Sequence, residues 1–153
     1  MKATGSLANS HGYLPYDPGR RFGDRDGGAP PLLFISPSHY VQAPGALGRL
    51  GEYLADLAGA RARAGVLITP GRRSALFETV AGSFRQAGLA MADLTFAGES
   101  SLTEVERVAA AFGAQAVDVV VGIGGGKCLD TARLAARRLG APVVTAPPTA
   151  SPA

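Results

Sequence analysis

Tryptophan is absent from this 153-residue chain, and lysine occurs only at positions 2 and 127. A single cysteine, Cys128, excludes an internal disulfide framework. Histidine is confined to His11 and His39. Two histidines far apart in sequence, with no acids clustered beside them, do not make a metal-ligand set, so no metal site is expected within this chain. No apolar run approaches the about 20 residues that a membrane helix needs, and no membrane partner is expected. The N-terminus lacks a charged start followed by an apolar block, so no secretory signal is read and a cytoplasmic location is expected. Net charge is only +3, carried almost entirely by scattered arginines. No window combines them with aromatics, which speaks against a nucleic-acid partner.

The residues present suit one ordinary domain: 46% are hydrophobic and 18% charged. Residues 1–30 mix Gly, Pro, Ser, Asp and Arg without apolar periodicity and read as a flexible tail. Residues 31–153 read as one domain. Leu32 to Ser36 is a short strand, and Tyr40-Val41-Gln42 is a candidate to pair beside it. Ala46 to Leu57 follows as a helix, with Leu47, Leu50, Leu54 and Leu57 at helical spacing. Ala64 to Thr69 is a short, continuously apolar strand of the kind covered on both faces. Ser74 to Gly88 reads as a helix capped by Ser74, with Leu76, Phe77, Val80 and Phe84 inward and Gly88 as its stop. Met91 to Phe96 is a strand. The next helix starts at Ser101 or Thr103, Thr103 and Glu106 having capping-box spacing, and should bury Leu102, Val105, Val108, Ala109 and Phe112. Val117 to Val121 is a strand, Lys127 to Leu139 a helix and Val143 to Ala146 a strand.

Strands alternating with helices of this length imply βαβ units. The expected fold is therefore α/β, a Rossmann-like parallel sheet flanked by helices. Ligands of such sheets sit beyond the carboxyl ends of the strands. One of those ends is unusual: Val121 leads into Gly122-Ile123-Gly124-Gly125-Gly126-Lys127. This is not a complete dinucleotide fingerprint, because Lys127 occupies its third glycine position. It is not a Walker A loop either, because Val121 replaces that motif's first glycine and Cys128 its Ser/Thr. One reading is a tight turn that needs positive φ or close packing. The other is a phosphate cradle of bare N–H groups at a helix N-terminus. Lys127 favours the second, since a cation there opposes the helix dipole unless it faces an anion. Asp130 suits the dipole with or without a functional role. Cys128 reads as a small packed side chain, although a helix start is where a thiol pKa can fall.

With these residues in view, the chain resembles the iron-dependent alcohol dehydrogenase superfamily and, within it, the glycerol dehydrogenases. Ser36 to Leu47 resembles the opening motif, Phe96 to Ser100 with Glu104 to Arg107 the second, and Gly122 to Arg133 the most specific. The resemblance implies an NAD-binding domain whose pyrophosphate lies over Gly124, Gly125, Gly126 and Lys127. It also implies cofactor contacts from a later Thr/Ser segment, placed at Thr149 and Ser151, although an ungapped match puts Pro148 at the threonine. An acid that follows this serine in the family has no counterpart, Pro152 and Ala153 standing there instead. The implied activity is oxidation of a small polyol, glycerol to dihydroxyacetone, with hydride transfer to NAD. A glycerol-1-phosphate dehydrogenase or dehydroquinate synthase relationship, or a free-standing nucleotide-binding module, are alternatives, and homo-oligomer formation is compatible with each.

Two departures matter. Where glycerol dehydrogenases resemble one another in carrying an Asp for the adenine ribose, this chain has Pro70, followed by Gly71-Arg72-Arg73. Arg72 or Arg73 could accept the 2′-phosphate of NADP, or both could be solvated. The family's helical domain, with the Asp and His ligands of a divalent zinc or iron, has no counterpart in these residues. The expectation is a chain that binds dinucleotide weakly, does not oxidise glycerol alone and exposes apolar surface.

Overall fold

The computed structural model describes residues 40–147. Chain contacts divide the protein into two units, Met1–Ala43 and Pro44–Ala153. The expected tail, the expected strand at Leu32–Ser36, both histidines, Thr149 and Ser151 all lie outside the described residues. In the first unit, Tyr40 to Ala43 form no strand, against the pairing considered for Tyr40–Gln42. Tyr40 is 80% exposed and donates to Gln42 Oε1 at 2.9 Å. Beyond them Pro44 has no N–H to place in a ladder, and Gly45 turns at φ 74°.

The second unit opens with a short 3-10 turn, Ala46–Arg49, that runs into helix α1, Leu50–Ala58. Then come β1 (Arg63–Ile68), α2 (Pro70–Gln86), β2 (Ala90–Thr95), α3 (Leu102–Ala114), β3 (Val119–Ile123), α4 (Gly126–Leu139) and β4 (Val143–Ala146). The four strands pair in the order β2-β1-β3-β4, all parallel. The expected α/β sheet is what forms.

Alternation along the two central strands builds two separate cores. Ala64, Val66 and Ile68 of β1, with Val119, Val121 and Ile123 of β3, point to the face covered by Leu50 and Leu54 of α1 and Val80 and Phe84 of α2. Leu67 and Val120 point to the other face, against Val108 and Phe112 of α3 and Cys128, Ala132 and Ala135 of α4. The second face is tight because glycines line it. A Cβ on Gly65 would stand 2.9 Å from the Phe112 ring, and one on Gly122 would stand 2.7 Å from Ala132 Cβ. The helices therefore lie closer to the strands than side chains at these positions would allow.

Local signals shift several boundaries. Helix α2 begins at Pro70, with Thr69 as its N-cap, rather than at Ser74. Proline suits the first helical position because its missing N–H would be unpartnered there anyway and its φ is preset. Helix α3 is capped by Ser101, whose Oγ accepts from the Glu104 N–H at 3.1 Å, not by Thr103. The Ser-x-x-Glu spacing that operates is the one two residues earlier. Leu102, at the first position of α3, is consequently 71% exposed rather than buried. Leu57, expected on the inward face of its helix, is also exposed. Strand β3 runs two residues later than expected, because Val117 N–H is taken by Phe112 O at the end of α3.

Candidate anion-binding site

The topology places a crevice where β1 and β3 end side by side. From β1 the chain turns into α2 on one face of the sheet, and from β3 it turns into α4 on the opposite face. Such a divergence of neighbouring strands is the topological switch point at which parallel α/β sheets bind ligands.

The glycine turn at the end of β3 combines two requirements. Gly124 must be small: a Cβ there would stand 2.4 Å from Thr69 Cγ2 and 3.1 Å from Cys128 Cβ. The end of β1 is tied to the same place, since Thr69 N–H donates to Ile123 O at 3.1 Å. Gly125 and Gly126 are different. Nothing lies within 4 Å of a Cβ position at either, so packing does not demand glycine there. Their outward faces are open, and a ligand can approach the backbone directly. Gly125 is the N-cap of α4, and its carbonyl accepts from Cys128 N–H at 3.0 Å and Leu129 N–H at 3.1 Å. The N–H groups of Gly126 and Lys127 head the helix, where no intrahelical acceptor exists. Gly124, Gly125, Gly126 and Lys127 thus come together as one surface, part packing device and part open cradle.

A loop from a different strand borders this surface. Ala97 to Ser101 follow β2, and their position is fixed by Glu104. This buried carboxylate accepts the Ala97 N–H at 2.9 Å. Arg107 in turn donates to both of its oxygens at 2.7 Å and to Thr95 O at 3.0 Å. The Arg107 hydrogen bond holds the Glu104 carboxyl below its usual pKa range, against the opposing effect of burial. The loop then reaches α4. Ser100 Oγ lies 3.1 Å from Thr131 Oγ1, which donates to Lys127 O at 2.9 Å, and Lys127 Nζ donates to Glu99 Oε1 at 2.5 Å. The sequence contained this frame in Ser101-x-x-Glu104, but nothing in spacing alone said that Glu104 would cap a strand end instead of its own helix.

Other sequence candidates resolve plainly. Cys128 is buried, and burial pushes its thiol up to about 11 despite its place in the first turn of α4. Its Sγ lies 3.6 Å from Leu67 O and from Ile123 O, so it is a packing residue and not a nucleophile. Asp130 pairs with Arg133 at 2.7 Å on the helix surface. Arg73 pairs through Nη2 with Asp93 of β2, its guanidinium carbon lies 4.5 Å from the Phe77 ring centre, and its buried Nη1 has no hydrogen-bond partner among the described residues. Arg72 is exposed.

The sequence matches the iron-containing alcohol dehydrogenase family over residues 37–152. The chain belongs to that family. Among curated relatives, it is 39% identical over 119 residues to a glycerol dehydrogenase of Escherichia coli O6:H1, covering 78% of this chain and 32% of the relative. Among solved structures, it is similar to glycerol dehydrogenase from Schizosaccharomyces pombe, with a TM-score of 0.68 at 28% identity, over 75% of this chain and 29% of that one. A probable glycerol dehydrogenase from Sinorhizobium meliloti aligns with a TM-score of 0.58 at 37% identity, over 67% and 26% of the two chains. The chain therefore spans about a third of the curated relatives it matches.

The described residues fit one of the groups that the iron-containing alcohol dehydrogenases imply. The open glycine cradle suits a pyrophosphate. A divalent metal has no such fit: among the described residues, no three His, Cys, Asp or Glu side chains gather where they could hold one. Nor is any described helix long and apolar enough to cross a membrane.

Proposed function

We propose that this chain is the cofactor-binding portion of a polyol dehydrogenase, binding NAD with its pyrophosphate over Gly124 to Lys127. The observation that carries this reading is the open backbone at Gly125 and Gly126, placed at the N-terminus of α4 beside the switch point. Backbone N–H groups and the helix dipole there favour an anion, and Lys127 adds a formal charge. The nicotinamide, when bound, supplies the hydride acceptor for oxidation of a small alcohol. The chain's own part is to bind and orient it. Glycerol is the favoured substrate because several relatives carry the name glycerol dehydrogenase. The metal that would polarise the substrate hydroxyl belongs, on this reading, to residues beyond those described, as does the contact from Thr149 and Ser151.

NADP is a second cofactor for the same site. The end of β1 carries no carboxylate to receive a ribose 2′-hydroxyl, and with Arg73 half-buried and paired to Asp93 through Nη2, the exposed cation there for a 2′-phosphate is Arg72. Titration of the purified chain with NADH and NADPH, followed by nicotinamide fluorescence, tests both statements. Binding of neither overturns the site. A preference for NADH of roughly tenfold, about 1.4 kcal/mol, removes the role of Arg72 and leaves NAD as the cofactor. The purified chain is expected to show no metal-dependent oxidation of glycerol, and turnover on added zinc or iron would overturn that expectation.

A further inference from the structure

The Lys127–Glu99 pair has no evident work to do in the fold. Its side chains are 61% and 76% exposed, and exposed pairs of this kind contribute only about 0–1 kcal/mol. Yet Glu99 is presented by a loop held at three points: Ala97 N–H on Glu104, the Ser101 cap, and Ser100 beside Thr131. The carboxylate is thus kept at the mouth of the glycine turn, on its cation Lys127. The other charges of that helix turn, Asp130 and Arg133, satisfy each other.

Resting on the cofactor reading above, we infer that Glu99 is a specificity residue that closes Lys127 to small anions. A free phosphate or pyrophosphate must displace the carboxylate and then remain beside its negative charge, with only the turn to compensate. Free pyrophosphate carries more negative charge near neutral pH than the doubly esterified pyrophosphate of a dinucleotide, so the displaced carboxylate repels the free anion more strongly. Glu99 then discriminates against the more highly charged ligand.

The test uses the full chain and its Glu99→Gln variant, titrated calorimetrically with inorganic pyrophosphate and fluorimetrically with NADH. Glu99→Gln should bind pyrophosphate about threefold to fivefold more tightly, while its NADH affinity rises by less than about twofold. In a Lys127→Met background, where no ion pair has to be displaced, the same substitution should have a smaller effect on both. Unchanged pyrophosphate affinity overturns the inference, as does an equal gain for NADH, which would leave no discrimination, or a loss of NADH binding, which would make Glu99 a direct cofactor contact. Glu99→Ala gives the same readout should the Gln variant misfold. If the parent chain binds no NADH, the cofactor reading fails, while the pyrophosphate comparison still decides whether Glu99 closes Lys127.

Discussion

Glu104 and Arg107 stand three residues apart on α3 and meet through two hydrogen bonds of 2.7 Å, with the carboxylate only 6% exposed. The pair anchors the loop that borders the glycine cradle. Its carboxyl is held below its ordinary value of 4.5, chiefly by the Arg107 hydrogen bond. A carboxyl whose pKa is lower folded than unfolded contributes stability that is present above the unfolded value and is lost as pH falls through the folded one. Glu104→Gln should therefore destabilise the chain by about 1–3 kcal/mol near neutral pH. The gap to wild type should close on acidification below about pH 4.5. Urea unfolding at several pH values measures it. A gap independent of pH would mean that the charge is not what holds the loop.

Gly122, inside β3, and Gly125, in the turn that follows it, should respond in opposite ways to alanine. At Gly122 the new methyl meets Ala132 Cβ at 2.7 Å and forces α4 from the sheet, at a cost of about 1–3 kcal/mol in stability. At Gly125 the backbone lies at φ −78° and ψ 177°, which alanine adopts freely, and nothing lies within 4 Å. Its stability should stay within about 0.5 kcal/mol of wild type. Its NADH affinity should fall roughly tenfold, because the methyl occupies the space through which a phosphate reaches the backbone. Wild-type binding by Gly125→Ala would remove the turn from the cofactor site.

Lys127→Met should weaken NADH binding about tenfold and flatten its dependence on salt, since the lost contact is ionic. Lys127→Arg should restore most of the affinity. Equal loss in both variants would indicate that the side chain fills space and does not meet an anion. Fluorescence titrations at low and high ionic strength separate the two.

The sheet was legible because β1 and β3 are short, continuous apolar runs, and the helices because their apolar residues recur at helical spacing. The glycine turn was legible because three glycines and a lysine interrupt that pattern where a strand ends. What escaped the sequence depends on long-range pairing. Ser101 outcompetes Thr103 as a cap because the loop before it is pinned through Glu104 to Ala97. Pro70, not Ser74, opens α2 because Thr69 is bonded to Ile123 on the neighbouring strand. Arg72 and Arg73 are indistinguishable in sequence, and only Asp93 on another strand separates their roles.

Cys128 illustrates how burial overrides a local rule. A helix start lowers a thiol pKa when the sulfur reaches solvent or a cation. Here Sγ faces the sheet, between the carbonyls of Leu67 and Ile123, and desolvation raises the pKa from an ordinary 9.0 to about 11. The folded chain at pH 8 should therefore resist thiol reagents and react only in denaturant. Because the folded pKa is the higher one, the thiol's contribution is complete below about pH 9 and is lost as pH rises toward about 11. Wild type should consequently lose more stability over that interval than Cys128→Ala, compared by urea unfolding. Rapid labelling of the folded chain at pH 8, at a rate unaffected by urea, would show instead that α4 opens at its first turn, and with it the cradle.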